Sequence, residues 1–371
     1  MSQLLTGFVN EDVLGVGYQF SPSGVYKTIG ETDMAAYAQY VTDLPVNASP
    51  EVFGLHENAD ITCAQNDTNT MFATILSLQP RAASAGGKTQ EELLTETAND
   101  ILGRVPALFN LESVVDNYPT MYEDSMNTVL QQECIRYNKV IAVLLRSLKD
   151  VVKALKGEVV MTAELETMGH SLFNNQVPEM WSKAAYPSLK PLATWVPDLC
   201  ARLNFIQRWI DEGKPSSYWL SGFYFPQAFI TGTKQNHARK YQLPIDTITF
   251  GYRVWEESSN GVYEAPKDGA LVYGLFLEGA RWDPAARILR ESRAKELFTT
   301  LPPIHLHPIA NRPTDIDGIY HTPVYKTMSR FGTLSTTGHS TNFVMTIEIP
   351  SDLPQTHWVK RGVAGLCSLN Y

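Results

Sequence analysis

Three groups of residues in this 371-residue chain have types and spacings that chemistry could use. Gly87-Lys88-Thr89 reads like the end of a phosphate loop, in which backbone N–H groups and a lysine cradle phosphoryl oxygens. That loop also needs a glycine at the position held by Ala82 and a strand just upstream, where the pattern is helical and ends at Pro80. Thr89 and Glu92 instead have the spacing of a capping box ahead of Leu93 and Leu94, so a loop leading into a helix is expected here. His305 and His307 put two imidazoles on one face of a strand, as some metal sites do, with His321 available only if folding delivers it. No acid or cysteine stands beside the pair at a telling spacing, and the alternation with Ile304, Leu306 and Ile309 equally fits a half-buried strand. Ser335 and His339 are a possible nucleophile and base. The GxSxG elbow is missing, however, and the only orienting carboxylates are distant: Asp246, Asp268, Asp283, Asp315 and Asp317. Glu164 and Glu166 lie two apart on a helix, point away from each other and are read as solvated charges.

Ser335 and His339 belong to the most distinctive stretch of the chain, Phe331 to Phe343. Its ten residues Gly332 to Thr341 hold six hydroxyl side chains, two glycines, one histidine and no acid. Short hydroxyl side chains bond their own backbone and glycine allows positive φ, so a tight turn between two strands is expected. The aromatic run Trp219 to Phe229 would suit a sugar or apolar ligand, and is read as a packing layer between a helical part and a sheet. No catalytic, cofactor-binding or metal-binding residue is assigned.

The elements that would position these groups divide by period. Asp33 caps a short helix with Met34, Tyr37, Val41 and Leu44 on one face, stopped by Pro45. Helical periodicity then runs from about Asn58 to Tyr241: Asp60 to Leu78, Thr89 to Leu102, Ser125 to Leu155, a helix ending near Phe173, one carrying Trp195 to Ile210, and one from Pro226 to Lys240. In Ser125 to Leu155 the apolar residues recur at spacings of four and three, but Val140, Val143, Leu145 and Val152 widen the stripe beyond a coiled-coil seam, which predicts a globular bundle. Thr194 is the expected cap of the next-to-last helix, with Pro197 in its first turn.

After Pro244 the period is two. Thr247 to Glu256, Ala270 to Glu278, Pro303 to Pro308, Gly318 to Lys326, Asn342 to Ile349 and Gly362 to Leu369 read as strands, with Asn260-Gly261 and Asp268-Gly269 as hairpin turns. The expected fold class is α+β: an N-terminal helical bundle followed by a C-terminal antiparallel β-sheet or small incomplete barrel of about six strands. The expected division is 1–57 as a connecting segment, 58–245 as a helical subdomain and 246–371 as an antiparallel β subdomain.

Composition narrows the partners. A net charge of −9 without a basic stripe argues against nucleic acid, and the apolar runs are too short to span a membrane. Cys63, Cys134, Cys200 and Cys367 are scattered without a CxxC pair, which predicts reduced thiols in a cytosolic-type compartment. The opening residues carry no basic-then-apolar leader, so secretion is not expected and the Asn66-Asp67-Thr68 sequon carries no weight.

Several segments in register give a resemblance. YPSLKPL at Tyr186, WLSGFYFPQAFITG at Trp219, GLFLEGARWD at Gly274, PVYKT at Pro323, the hydroxyl loop and HWVKRGVAGLC at His357 resemble the C-terminal region of dynein heavy chains. YQFSPSGVY at Tyr18 and FGLHENADIT at Phe53 are similar to the stretch where the last AAA+ module runs into that region. The hydroxyl loop and PVYKT favour the axonemal type. The resemblance implies that 1–57 ends the last AAA+ module, that Met1 is not the natural start and that Tyr371 is the natural end. It further implies a terminal domain with no nucleotide site or cofactor, lying on the AAA+ modules of the same polypeptide and tuning a motor. Microtubules and other axonemal dynein subunits would be partners through the parent motor, in the axoneme of a cilium or flagellum. The alternatives from other classes are a metal-assisted hydrolase using His305, His307 and His321, and a ligand-binding module built on the aromatic run.

Overall fold

The computed structural model describes residues 11–20, 23–53, 55–78, 89–255, 263–313, 316–330, 332–333 and 340–371. Helix α1 (Met34–Asp43) is capped by Asp33, whose carboxylate accepts the Ala36 N–H at 2.8 Å. Helices α2 (Ala59–Leu78), α3 (Gln90–Arg104) and the short α4 (Leu111–Asn117) follow. The spine is α5 (Ser125–Leu155). Its Leu130, Cys134, Tyr137, Ile141, Leu144 and Leu148 are fully buried, and α3, α4, α6 (Ala163–Phe173) and α7 (Glu179–Ala184) pack around it. Val140, Val151 and Ala154 extend the buried stripe, which is the width of a globular core helix rather than a two-stranded seam.

Helix α8 (Leu192–Glu212) starts earlier than its sequence suggests, with Pro191 rather than Thr194 at the cap. Pro197 consequently falls in the second turn. The cap comes from outside the helix: Asn175 accepts the Leu192 N–H on its backbone carbonyl at 3.0 Å and the Ala193 N–H on its side-chain oxygen at 2.8 Å, satisfying two of the four orphan donors of the first turn. Helix α9 (Pro226–Tyr241) begins on the expected proline.

The β part is built from two sheets and a hairpin, with no closed barrel among the described residues. One sheet has the order β1 (Tyr218–Trp219), β3 (Ala270–Tyr273), β8 (Ile304–Ala310), β2 (Ile248–Val254). The other runs β10 (Phe343–Pro350), β9 (Ile319–Tyr325), β11 (Ala364–Leu366), β4 (Phe276–Glu278), β7 (Phe298–Thr300). The hairpin joins β5 (Ala280–Asp283) to β6 (Ile288–Glu291). A helix of two turns, α10 (Gln355–Arg361), lies between β10 and β11.

The α+β order of helices before strands therefore holds, while three details of the sheet differ. It is mixed, because β1 runs parallel to β3 and β11 parallel to β9. The expected strand Ala270 to Glu278 breaks at Gly274 and passes from one sheet to the other. Asp268-Gly269 is not the turn of a β2–β3 hairpin, since β8 lies between those strands. Gly269 is the point of closest approach to β8, where a Cβ would come within 2.0 Å of the Leu306 carbonyl oxygen. The other expected turn, Asn260-Gly261, lies outside the described residues.

Candidate functional site

Among the described residues, those whose types suggest chemistry do not assemble. Gly87, Lys88, Ser335, His339 and Asp315 lie outside the described residues. Thr89 caps α3: its hydroxyl accepts the Glu92 N–H at 3.2 Å and the Glu92 carboxylate accepts the Thr89 N–H at 2.9 Å, a complete capping box. His305 and His307 share a face of β8 with ring centroids 5.4 Å apart, but His321 is on β9 in the other sheet. The His305 Nε2 is 2.7 Å from the Asp268 carbonyl oxygen, which only accepts, so that nitrogen holds the proton and is not free for a metal. Burial holds His305 below the usual histidine range. Among the described residues no group of three His, Cys, Asp or Glu side chains is placed to hold a metal ion. Asp246 and Asp317 are exposed; Asp268 pairs with Lys240 at 2.6 Å and accepts the Tyr241 hydroxyl at 2.8 Å. Asp283 accepts the Ala285 and Ala286 N–H groups in its own turn. Glu164 and Glu166 are exposed in the first turn of α6.

What the fold does build is a buried polar seam between helices and sheets. Glu133, fully buried on α5, accepts the backbone N–H groups of Tyr224 and Phe225 at 2.5 and 3.1 Å. It thereby anchors the entry to α9, where Phe225 at the cap has no side-chain cap hydrogen bond of its own, and Arg136 stands 3.6 Å away. Burial pushes the Glu133 carboxyl up to about 7 against the pull of those donors. Nearby, Arg202 on α8 is only 4% exposed. Its Nε donates to Asp198 at 2.7 Å, its Nη1 to the Ser221 carbonyl, and its guanidinium lies 3.8 Å above the Tyr186 ring. Tyr186 donates to the same Asp198 oxygen at 2.7 Å, Tyr137 to the Gly222 carbonyl at 2.7 Å, and Ser221 to the Gly274 carbonyl at 2.8 Å. Glu133, Arg202, Asp198, Tyr186, Tyr137 and Ser221 each have a partner, the condition under which such networks fix one arrangement, while the buried Arg136 Nη1 has no hydrogen-bond partner among the described residues.

The aromatic run Trp219 to Phe229 is part of this seam. Leu220, Phe223 and Phe229 are buried, Phe223 stacks on Phe229 at 4.6 Å, and Phe205 meets Trp219 and Phe223 edge-on. Gly274, at φ +86°, passes under Trp219 so closely that a Cβ would lie 2.3 Å from the indole.

A second set of contacts ties the opening segment to the last hundred residues. Asn58, just before α2, donates to the Arg293 and Glu296 carbonyls at 2.9 and 3.1 Å and accepts the Lys295 N–H at 2.7 Å. Arg361 on α10 donates to the Leu55 carbonyl at 2.8 Å and to Glu291 at 3.1 Å. His357 approaches that same Glu291 oxygen at 2.9 Å, and Lys360 reaches the Tyr18 hydroxyl at 3.3 Å.

A cleft of about 560 Å³ opens over the seam, lined by Tyr186, Ser188, Lys190 and Trp195 on one side and Lys326, Thr327, Ser329 and Asn342 on the other. The base of the hydroxyl loop borders it. There the Thr341 N–H donates to the Thr333 carbonyl at 2.9 Å, closing the two ends together.

Residues 65–367 match the pattern of the C-terminal domain of dynein heavy chains. The protein belongs to that family. Residues 1–59 match the AAA lid domain of dynein heavy chains. The sequence is 54% identical over 369 residues to dynein axonemal heavy chain 1 of Rattus norvegicus, covering 99% of this protein and 8% of that one. It is 48% identical over 367 residues to dynein axonemal heavy chain 3 of Mus musculus, with 99% and 9% coverage. With dynein axonemal heavy chain 12 of Homo sapiens the figures are 44% over 355 residues, 95% and 11%. The 371 residues thus span only about a tenth of the length of these relatives.

The motifs that resemble dynein C-terminal regions have structural work in this domain. YPSLKPL brings the Tyr186 ring under Arg202, WLSGFYFPQAF gives Glu133 its N–H donors, and GLFLEGARWD crosses between sheets at Gly274. HWVKRG forms α10 and its clasp. Glu133 and Arg202 do not stand out in the sequence as functional residues. The one local signal is Glu133 on the same face as Leu130, Cys134 and Tyr137, a charge inside an apolar stripe.

Proposed function

We propose that this protein is the non-catalytic C-terminal regulatory and structural domain of an axonemal dynein heavy chain. It would lie on the AAA+ modules of that heavy chain and tune microtubule-based motility in the axoneme of a cilium or flagellum. The division that goes with this reading is 1–57 as the end of the last AAA+ module with its linker, 58–245 as a helical subdomain and 246–371 as a β subdomain. Association with microtubules and other axonemal subunits would come through the parent motor.

The observation that carries the proposal is the clasp. Asn58, Arg361 and Lys360 bond the AAA-lid segment to the 293–296 turn between β6 and β7 and to α10 through partners more than 230 positions apart in sequence. A displacement of the lid segment is then transmitted to the whole domain instead of being absorbed in a flexible linker. The lid segment and α2 also leave Leu14, Val16, Met34, Val41, Phe72 and Ile75 exposed, apolar surface of the kind that marks an interaction face. A domain that favours one arrangement of neighbouring modules shifts the population of the ring towards it.

The test is a complete heavy chain lacking residues 65–371, compared with the intact one. Velocity, force or run length should change while ATP hydrolysis persists. Identical motility in the two motors would contradict the proposal.

A further inference from the structure

The cleft over the seam is lined by lysines and hydroxyl side chains. Its lining includes Lys326 and Lys190, the latter donating to the Tyr371 backbone oxygen, and no carboxylate side chain, in a protein whose net charge is −9. Lys326 is half-buried at the end of β9, with its ammonium 5.9 Å from the Phe225 ring and no hydrogen-bond acceptor among the described residues. Burial holds it below the usual lysine range. The hydroxyls around it are poised in the same sense. Thr327, only 4% exposed, accepts the Asn342 side-chain amide on its oxygen at 3.0 Å, and Ser188 accepts the Lys190 N–H on its oxygen at 3.2 Å. Both oxygens are therefore engaged as acceptors, and neither O–H has an acceptor among the described residues. A hydroxyl donates one proton and an ammonium three, so the cleft offers about five donor protons from Lys326, Thr327 and Ser188.

We propose that this cleft binds a phosphate monoester, with Lys326 as the charge partner and Thr327 and Ser188 as neutral donors. A carboxylate has two oxygens to present, whereas a phosphate has three strong acceptor oxygens and up to two charges. A volume of about 560 Å³ is within the range of small-ligand sites. The proposal is independent of the motor function above, and it gives a role to YPSLKPL and PVYKT that the seam alone does not.

The 371-residue protein is titrated with inorganic phosphate, and binding is followed by the shift in Tm and by isothermal calorimetry, with sodium chloride of equal ionic strength as the control. Saturable binding is expected with phosphate and none with chloride. Lys326→Met should abolish it, and Thr327→Val should weaken it about tenfold, the loss of one hydrogen bond to a charged group. Because Lys326 is desolvated without a counter-charge, Lys326→Met should leave the phosphate-free Tm unchanged or higher, and Lys326→Arg should retain binding. A phosphoserine peptide tighter than phosphate, with its unphosphorylated twin inert, supports a protein source; a tighter sugar phosphate supports a metabolite source. Wild-type phosphate affinity in Lys326→Met overturns the proposal. So does ester binding no tighter than inorganic phosphate, which would mean an adventitious ion only.

Discussion

A carboxylate enclosed by a helix core is tolerated only if its lone pairs are met, and Glu133 is met by two backbone N–H groups and a nearby arginine. Because burial raises its folded pKa from 4.5 to about 7, the native state holds a proton more readily than the unfolded state between those values. Its contribution to stability is complete below 4.5 and is lost as pH rises through about 7. The Tm of the wild-type protein relative to Glu133→Gln should therefore fall between pH 4.5 and 7 and level off above; a flat difference across that window would show that the carboxyl titrates elsewhere. Glu133→Ala should cost about 3 kcal/mol or more in a denaturant titration, since it orphans the Tyr224 and Phe225 donors. The capping pair Thr89 and Glu92 was legible from sequence because both partners lie within one turn. The partners of Glu133, 91 and 92 positions away, leave no local trace beyond a misplaced charge.

Among the elements, long helices were the most legible and short or exchanged strands the least. The spine α5 repeats its apolar stripe over many turns, so its bounds follow from the pattern. Helices α4, α7 and α10 have six or seven residues each, too few for a period to register. The early start of α8 depends on Asn175, a cap supplied from outside the helix. Strand order is a non-local property, and no alternation within Ala270 to Glu278 could reveal that the backbone switches sheets there. Gly274 is the residue that permits the switch. Gly274→Ala should destabilise the protein by about 3 kcal/mol, because it combines a Cβ at φ +86° with a 2.3 Å approach to Trp219. A chemical-denaturation midpoint equal to wild type would mean that Trp219 moves aside freely.

At the scale of the whole molecule, the hydroxyl loop helps to identify the family, although Ser335 and His339 within it lie outside the described residues. Six motifs in register carried the family from sequence alone. The polar seam and the clasp were not legible, since each joins segments that only the fold brings together. The clasp is where the mechanical reading is most exposed to test. In a complete heavy chain, Asn58→Ala combined with Arg361→Ala removes the Asn58 bonds to the 293–296 turn and the Arg361 bond to Leu55, leaving the Lys360–Tyr18 contact and the seam in place. Loss of each buried hydrogen-bonded group costs about 1–3 kcal/mol, enough to loosen the joint. The decisive measurement is microtubule gliding velocity alongside ATP turnover for this variant and the unsubstituted motor. Coupling through the clasp predicts altered velocity at persisting turnover. Velocity and turnover both equal to those of the unsubstituted motor would contradict it.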